Sequence, residues 1–357
     1  MSVNLKLQSP SVSGGLLEEL LAACKSSVAG GAIFAWTNRS GATALLDDEM
    51  FREFVEEGTF ELVVGVDAIT DPAALNLLSE RGQDVENLSV RVFEPDPTGL
   101  FHPKLAWFVD ADERVTLIVG SANLTMGGLK TNWEAFVVTE MAAPESATLL
   151  ETLREWLEEN EARLLEPDDP RILVHAEQNR GKERDVRRVG SVPGEPPAPP
   201  GDLEVLVAEI PKAGDRWQQA NFDRSTYVNY FGASVGSQIR IFLRHVTNGG
   251  ELGELESRPS VEVESMNYRF ELAAARGRDY PGDGQGRPIG VFVKMAPQAF
   301  IYQLLLPGDA LYEVFSQFIE DEAGPSTQRM RRIRKSLSEV QQVVPGSPLW
   351  SVSPDDL

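Results

Sequence analysis

The residues best able to do chemistry fall within one stretch, His102 to Glu134: HPKLAWFVDADERVTLIVGSANLTMGGLKTNWE. His102 and Lys104 stand two apart, as do Ser121 and Asn123, and Glu134 follows eleven residues after the asparagine. Along a strand, residues i and i+2 point to one face, so each pair is presented side by side. If the strands that carry them are neighbours, five side chains converge. They are an imidazole able to act as nucleophile or base, a cation, a hydroxyl, an amide, and a carboxylate able to orient an imidazole. No thiolate cluster or carboxylate pair at metal-ligand spacing accompanies them. The set suits an anion, most simply a phosphate ester. Each fragment alone has a plainer explanation: a histidine beside a strand is usually a satisfied polar residue, and GSAN by itself can be a turn.

These residues need strands that end together. The run after Lys104, the polar hairpin DADER, the run VTLIVG and then AFVV predict three strands with their polar ends at one edge. Upstream, LLEELLAAC (16–24) reads as an amphipathic helix, GAIFAW as a buried strand, and 43–57 as one helix with Leu45, Leu46, Met50, Phe51, Phe54 and Val55 on one side. ELVVGVD (61–67) and LSVRVFE (88–94) read as strands, and PAALNLLSERG (72–82) as a helix stopped by Gly82. A helix over 145–165 follows the motif. Strands alternating with helices, then a run of strands, predict a mixed α/β sandwich with helices on both sides of the sheet.

The motif, H-x-K followed by G-S-x-N, resembles the HKD motif of the phospholipase D superfamily. The later glutamate resembles that of the single-motif nucleases of that superfamily. In one place the pattern departs: the longer motif has an aspartate five residues after the lysine, where this chain has Val109, with Asp110 one later. The resemblance implies catalytic roles for His102, Lys104, Ser121, Asn123 and Glu134. One histidine attacks phosphorus to give a phosphohistidine and a second protonates the leaving oxygen. The lysines and asparagines bind the non-bridging oxygens in place of metal ions, and Glu134 holds an imidazole in its tautomer. The other two histidines, His175 and His245, lack the motif. A two-fold dimer is therefore expected to supply the second imidazole. No cofactor and no metal are expected.

The chain has 357 residues and a net charge of −22, enough length for two or three domains. The acid excess is uneven: −18 over residues 1–202 and −4 over 203–357. Acidic runs such as EEL, DDE and EPDD read as solvated faces. The single cysteine, Cys24, excludes an internal disulfide framework and fits a reducing cytoplasm. No apolar run reaches membrane-spanning length and no basic-then-apolar leader begins the chain, so a cytoplasmic protein without a membrane partner is expected. Three parts are predicted: a phospholipase-D-like nuclease domain (1–165), a charged and Pro/Gly-rich linker (166–202), and a second domain (203–357). The linker's Lys182, Arg184, Arg187 and Arg188 read either as phosphate contacts or as solvated charge.

The second domain reads as short, turn-bounded, alternating strands at 203–211, 225–232, 238–246, 260–265, 267–275, 290–296 and 299–308. A closing helix (309–321) and a basic, helical tail containing RMRRIRK follow. AEIP, RWQQANF, YFG, NYRFEL and FIYQLLLPG resemble the all-β, B3-like DNA-binding pseudobarrel of metal-independent phospholipase-D-type restriction endonucleases, the BfiI and NgoFVII group. That resemblance implies two arms gripping the major groove, at 212–222 and 267–282. Arg pairs with guanine, and Gln or Asn with adenine, which singles out Arg216, Gln218, Gln219, Asn221, Asn267 and Arg269. The bland alternative is that these are ordinary surface residues. The resulting expectation is a homodimeric, metal-independent DNA endonuclease acting in restriction or anti-phage defence. Two alternatives stand beside it: a phospholipase-type hydrolase on another phosphodiester, and a nuclease subunit gated by a partner protein in a defence complex.

Overall fold

Parallel strands require crossovers, usually helical, and the alternation of strands and helices after residue 27 supplies them. Eight strands form one mixed sheet: β1 (Ser2–Gln8), β2 (Ser27–Phe34), β3 (Thr59–Gly65), β4 (Leu88–Phe93), β5 (Lys104–Asp110), β6 (Val115–Gly120), β7 (Glu134–Met141) and β8 (Leu164–Leu165). Their spatial order is β1-β7-β6-β5-β2-β3-β4-β8. β2, β3 and β4 run parallel, while every other adjacent pair is antiparallel. The computed structural model describes residues 2–9, 14–67, 69–94, 99–179, 203–212, 217–233, 239–259, 268–282, 284–325 and 330–352. It divides into two units, Met1–Gly194 and Glu195–Leu357.

Among its described residues the first unit has six helices: α1 (Leu16–Cys24), α2 (Arg39–Leu46), α3 (Glu49–Glu57), α4 (Pro72–Asp84), α5 (Glu145–Glu159) and α6 (Pro170–Glu177). Ile33 and Phe34 alternate on β2 and serve opposite layers. Ile33 packs in the cluster of Val63, Phe93, Trp107 and Leu153, against which Leu149, Leu150, Trp156 and Leu157 of α5 lie. Phe34 shares a small cavity with Leu16 and Leu20 of α1. The expected α/β sandwich is thus present. Cys24 is buried, which pushes its thiol up to about 12 and leaves it protonated at neutral pH.

Three readings of this unit need correction. Residues 43–57 are two helices. Asp48 caps α3, its carboxylate accepting from Met50 N at 2.9 Å, while Asp47 pairs with Arg81 at 2.6 Å. Such a cap stabilises by about 1 kcal/mol, which favours the break over a continuous helix. α4 does not stop at Gly82. It runs on to Asp84, with Gly82 packed against Val90 of β4. The 145–165 helix ends at Glu159, where Asn160 donates to Trp156 O at 2.8 Å, and Leu164–Leu165 turn back as a strand beside β4. The compositional boundary at 165 also falls inside the fold. Residues 170–177 form α6 with Ile172 and Ala176 buried, and Asn179 donates to Thr70 O at 3.0 Å.

The second unit has a six-stranded sheet and a two-stranded ribbon. Its strands are β9 (Glu204–Glu209), β10 (Gln219–Phe222), β11 (Arg240–Val246), β12 (Leu252–Pro259), β13 (Tyr268–Glu271), β14 (Ile289–Ala296), β15 (Ala299–Leu305) and β16 (Arg332–Ser336). The sheet order is β12-β11-β15-β14-β9-β16, and β10 pairs with β13. Among the described residues no pairing joins β12 to β16, so strand pairing does not close the sheet. Phe222, Phe231, Phe270, Phe292 and Phe300 fill one core. Helices α7 (Tyr312–Ala323) and α8 (Leu337–Val343) complete the unit.

Two segments differ from their sequence reading. STYVNYFG is not a strand: Thr226–Tyr230 form a π-helical turn, started by Asp223, whose carboxylate accepts from Thr226 N at 2.9 Å. Tyr230 is buried there and donates to Phe292 O at 2.8 Å. The basic tail is not helical over its described residues, 330–335, either. Arg332–Ser336 form β16, because Ile333 is buried while its neighbours pair with carboxylates on other elements. The strand expected at 260–265 and the linker cluster Lys182, Arg184, Arg187 and Arg188 lie outside the described residues.

Candidate active site

The site forms where β2, β5, β6 and β7 reach one edge of the first sheet. Phe34 stands opposite Lys104, Leu105 opposite Val119, Gly120 opposite Phe136, and Gln8 opposite Glu134. His102 is placed by its neighbour. Phe101 stacks on Phe93 at the end of β4, with ring centroids 4.2 Å apart, and both rings lie near Trp156 of α5. His102 itself is exposed, while Lys104 is buried at 9% exposure.

The two side chains are in direct contact. The Lys104 ammonium lies 3.1 and 3.0 Å from the ring nitrogens Nδ1 and Nε2 of His102, and 3.3 Å from its carbonyl oxygen. An ammonium only donates, so the contact requires a ring nitrogen with a free lone pair. Partial burial lowers the pKa of His102, and the Lys104 charge lowers it further. Burial also lowers that of Lys104, with Glu134 opposing the shift. The arrangement favours a neutral imidazole beside a cation, as a nucleophile approaching an anion requires.

The second half of the motif is a turn locked to β7. Ser121 N donates to Ala135 O at 3.0 Å, Ala135 N donates back to Ser121 Oγ at 3.1 Å, and Ser121 Oγ donates to Glu134 Oε2. Asn132 Nδ2 donates to Glu134 Oε1 at 3.3 Å. Within the chain, then, Glu134 is held by a hydroxyl and an amide, and the imidazole by Lys104. The Oδ1 of Asn123 is buried without a hydrogen-bond partner. Two glycines let the backbone of this turn approach its supports. A Cβ on Gly128 would strike Asn123 O and come within 2.7 Å of Asn123 N, and one on Gly41 would lie 2.6 Å from Leu124 C. Asp110, next to the position where the motif departs, is at the far end of β5. There it caps the hairpin, accepting from Asp112 N and Arg114 N at 2.9 Å each.

Other residues of the site were not singled out in the sequence. Trp36 meets His102 edge to face, with centroids 5.1 Å apart and planes at 68°. Its backbone oxygen accepts from Leu124 N at 3.1 Å. Gln8 is buried and donates to Gly128 O at 3.0 Å and Asn132 O at 3.2 Å, while accepting from Leu16 N at 2.9 Å. Lys130, also buried, pairs with Glu18 of α1. The only sequence signal for Trp36 is its place just beyond a buried strand that ends at the same edge.

The residues singled out in the second unit are less gathered. Arg216 and Asn267 lie outside the described residues. Gln218 O accepts from Leu272 N at 2.9 Å, Gln219 stands opposite Glu271, and Asn221 opposite Arg269. Facing residues of an antiparallel pair share a side. Asn221 and Arg269 are therefore on the side of the ribbon opposite Ala220 and Phe270, which are buried in the core. The basic run is engaged within the unit. Arg331 pairs with Glu209 at 2.9 Å, Arg332 with Asp223 at 2.8 Å and Lys335 with Glu322 at 2.9 Å, and Arg334 lies over the Tyr230 ring.

Residues 63–159 match the family model described as cardiolipin synthase, PLD-like domain. That span contains His102, Lys104, Ser121, Asn123 and Glu134, and over it the chain is similar to a PLD-like domain. Similar solved structures include NucT from Helicobacter pylori, at 14% identity and TM-score 0.31 over 46% of this chain and 99% of that one. Nuc from Salmonella typhimurium, a phospholipase D family member, is 17% identical with TM-score 0.34, over 46% of this chain and 97% of its own. The N-terminal domain of Helicobacter pylori LlaJI.R1 is 10% identical with TM-score 0.27, over 37% and 97%. No curated protein matches the chain. No helix among the described residues is long and apolar enough to cross a membrane.

Proposed function

We propose that this protein is a homodimeric, metal-independent endonuclease that hydrolyses DNA phosphodiester bonds, acting in restriction or anti-phage defence. The observation that carries the reading is the Lys104 ammonium against the His102 ring, at the same sheet edge as the Ser121–Glu134 pair. In the proposed reaction a neutral His102 nitrogen attacks phosphorus, and the bond to the leaving nucleoside oxygen breaks. A second imidazole gives that oxygen its proton. Water, losing a proton to the same imidazole, then attacks the phosphohistidine and frees His102. Lys104 and Asn123 bind the non-bridging oxygens as charge builds on them.

The second imidazole is assigned to a second copy of the chain. An apolar sheet face beside the site supports this. Val3, Leu5, Leu7 and Val119 are 63, 64, 75 and 44% exposed. Leu5, Val137 and Val119 stand in one row across β1, β7 and β6, and Leu7 stands opposite Ala135, next to Glu134. Contiguous exposed apolar surface of this kind marks an interaction site. For the second unit we propose a B3-like DNA-recognition role, with Gln218, Gln219, Asn221 and Arg269 on or beside the β10–β13 ribbon and Arg216 and Asn267 in the flanking arms. A partner-gated nuclease is the second reading, favoured by the net charge of −22 and by basic residues already engaged within the second unit. Cleavage of labelled duplex and single-stranded DNA by the isolated protein decides between them. Turnover by the protein alone supports the first reading, and activity only with an added partner supports the second.

A further inference from the structure

The ring of His102 has one hydrogen-bonding side chain at hand among the described residues, Lys104. That contact cannot orient it. The ammonium sits almost equally far from both ring nitrogens, at 3.1 and 3.0 Å, and so selects neither tautomer. The carboxylate of the site, Glu134, is engaged by Ser121 and Asn132. A nucleophile still needs a fixed direction, because its lone pair must point at phosphorus.

The second contact at the ring is Trp36. We propose that Trp36 is a positioning residue, whose indole braces the His102 imidazole for attack and couples it to the turn carrying Asn123. This rests on the phosphodiesterase reading and adds a residue to it. The indole and imidazole meet edge to face, centroids 5.1 Å apart, a geometry aromatic rings prefer. Lys104 Nζ lies 5.5 Å from the indole centroid, so one ring backs both halves of the His–Lys pair. Trp36 itself is firmly held. Its carbonyl accepts from Leu124 N at 3.1 Å, and Asn38 N returns a bond to Leu124 O at 3.2 Å. Between them Thr37 is fully buried; its N donates to Thr70 Oγ1 and its Oγ1 donates to Leu124 O, at 3.0 Å each. Leu124 directly follows Asn123. The strap therefore links the residue behind the nucleophile to the residue assigned to the phosphate oxygens. The indole Nε1 is buried without a partner, so hydrogen bonding by that nitrogen does not explain the choice of tryptophan.

The test compares Trp36→Leu, which removes the ring, with Trp36→Phe, which keeps one. Two readouts are used: steady-state cleavage, and the imidazole 15N shifts of His102 in the full chain. Trp36→Leu is expected to lower kcat roughly three- to tenfold, the scale of one aromatic contact, with KM little changed. Its His102 shifts should move toward averaged tautomers, and Trp36→Phe should restore both. Water reaching the ring should also move the acid limb of the rate profile upward, with Lys104, the charge in contact with the ring, and Glu134, which acts on Lys104, both unchanged. Wild-type kcat and wild-type shifts in Trp36→Leu would overturn the proposal, as would equal losses in Trp36→Phe and Trp36→Leu. Should Trp36→Leu not fold, Trp36→Met takes its place. If the wild-type protein cleaves no phosphodiester, alone or with an added partner, the phosphodiesterase reading fails by itself, and the His102 shifts still decide whether Trp36 braces the ring.

Discussion

At the scale of single residues, the proposed reaction gives Lys104 two tasks: to bind the phosphate and, with burial, to keep His102 neutral. Partial burial and the adjacent ammonium both lower the imidazole pKa from its ordinary value of 6.5. The neutral form is the nucleophile, so activity should be present above the folded pKa and lost as pH falls through it. The acid limb of kcat/KM is therefore expected below pH 6.5, and a limb above that value would contradict the assignment. Lys104→Met should raise the limb by removing the charge. It should also lower kcat on the order of a hundredfold, the scale of losing one preorganised charge-stabilising donor. A pH–rate series on both proteins reads the two effects together. The five motif residues stood out in the sequence through their resemblance to the HKD motif; strand alternation did not place them, because His102 precedes β5 and Ser121 and Asn123 lie in the turn after β6. Trp36 and Gln8 were not. Their contacts with His102 and Gly128 cross between elements far apart in the chain, and no local period encodes them.

At the scale of elements, the turn after β6 depends on close backbone approach. Gly128→Ala should destabilise the first unit by about 1–3 kcal/mol, since a Cβ there meets the backbone of Asn123 rather than a yielding side chain. It should also lower cleavage more than substrate binding. A denaturant midpoint and a kcat–KM pair measure these, and an unchanged midpoint would show that the turn yields. Most elements were legible from periodicity, but side-chain capping and ion pairing overruled it in places. Asp48 broke a continuous helical pattern into two by capping α3. Asp223 started a π-helical turn where alternation read as a strand. The basic tail became β16 because Arg331, Arg332 and Lys335 found carboxylates on other elements. β1 was not read, although Val3, Leu5 and Leu7 alternate with polar residues as a strand's do; all three are exposed.

At the scale of the whole molecule, the exposed face of β1 and the single HKD-like motif bear on assembly. The wild-type protein should be a dimer by light scattering. Leu5→Glu with Leu7→Glu should give a folded monomer that no longer cleaves, and a variant that stays dimeric would remove this face from the account. A 203–357 fragment should bind DNA at low salt. Replacing Asn221 and Arg269 by alanine should weaken it by about 1–3 kcal/mol per lost base contact, measured by titration against labelled duplex. The sequence changes character over residues 166–202, and the structure divides into two units at 194/195, within that stretch. The edge of the first unit was legible in part: EPDDPRILV could be read as packing on the first domain, as buried Ile172 does, but the polar residues around Ala176 and Asn179 give no local sign that these two are buried as well.

The central claim is that His102 becomes covalently bound to phosphorus. Labelled DNA incubated with the protein in excess EDTA, quenched in denaturant and digested, should leave an acid-labile phosphoryl adduct on the peptide containing His102. The same adduct should be missing in His102→Ala, whose DNA binding through the second unit should remain. Cleavage that stops with EDTA and returns with magnesium, or a fully active His102→Ala protein, would contradict the account.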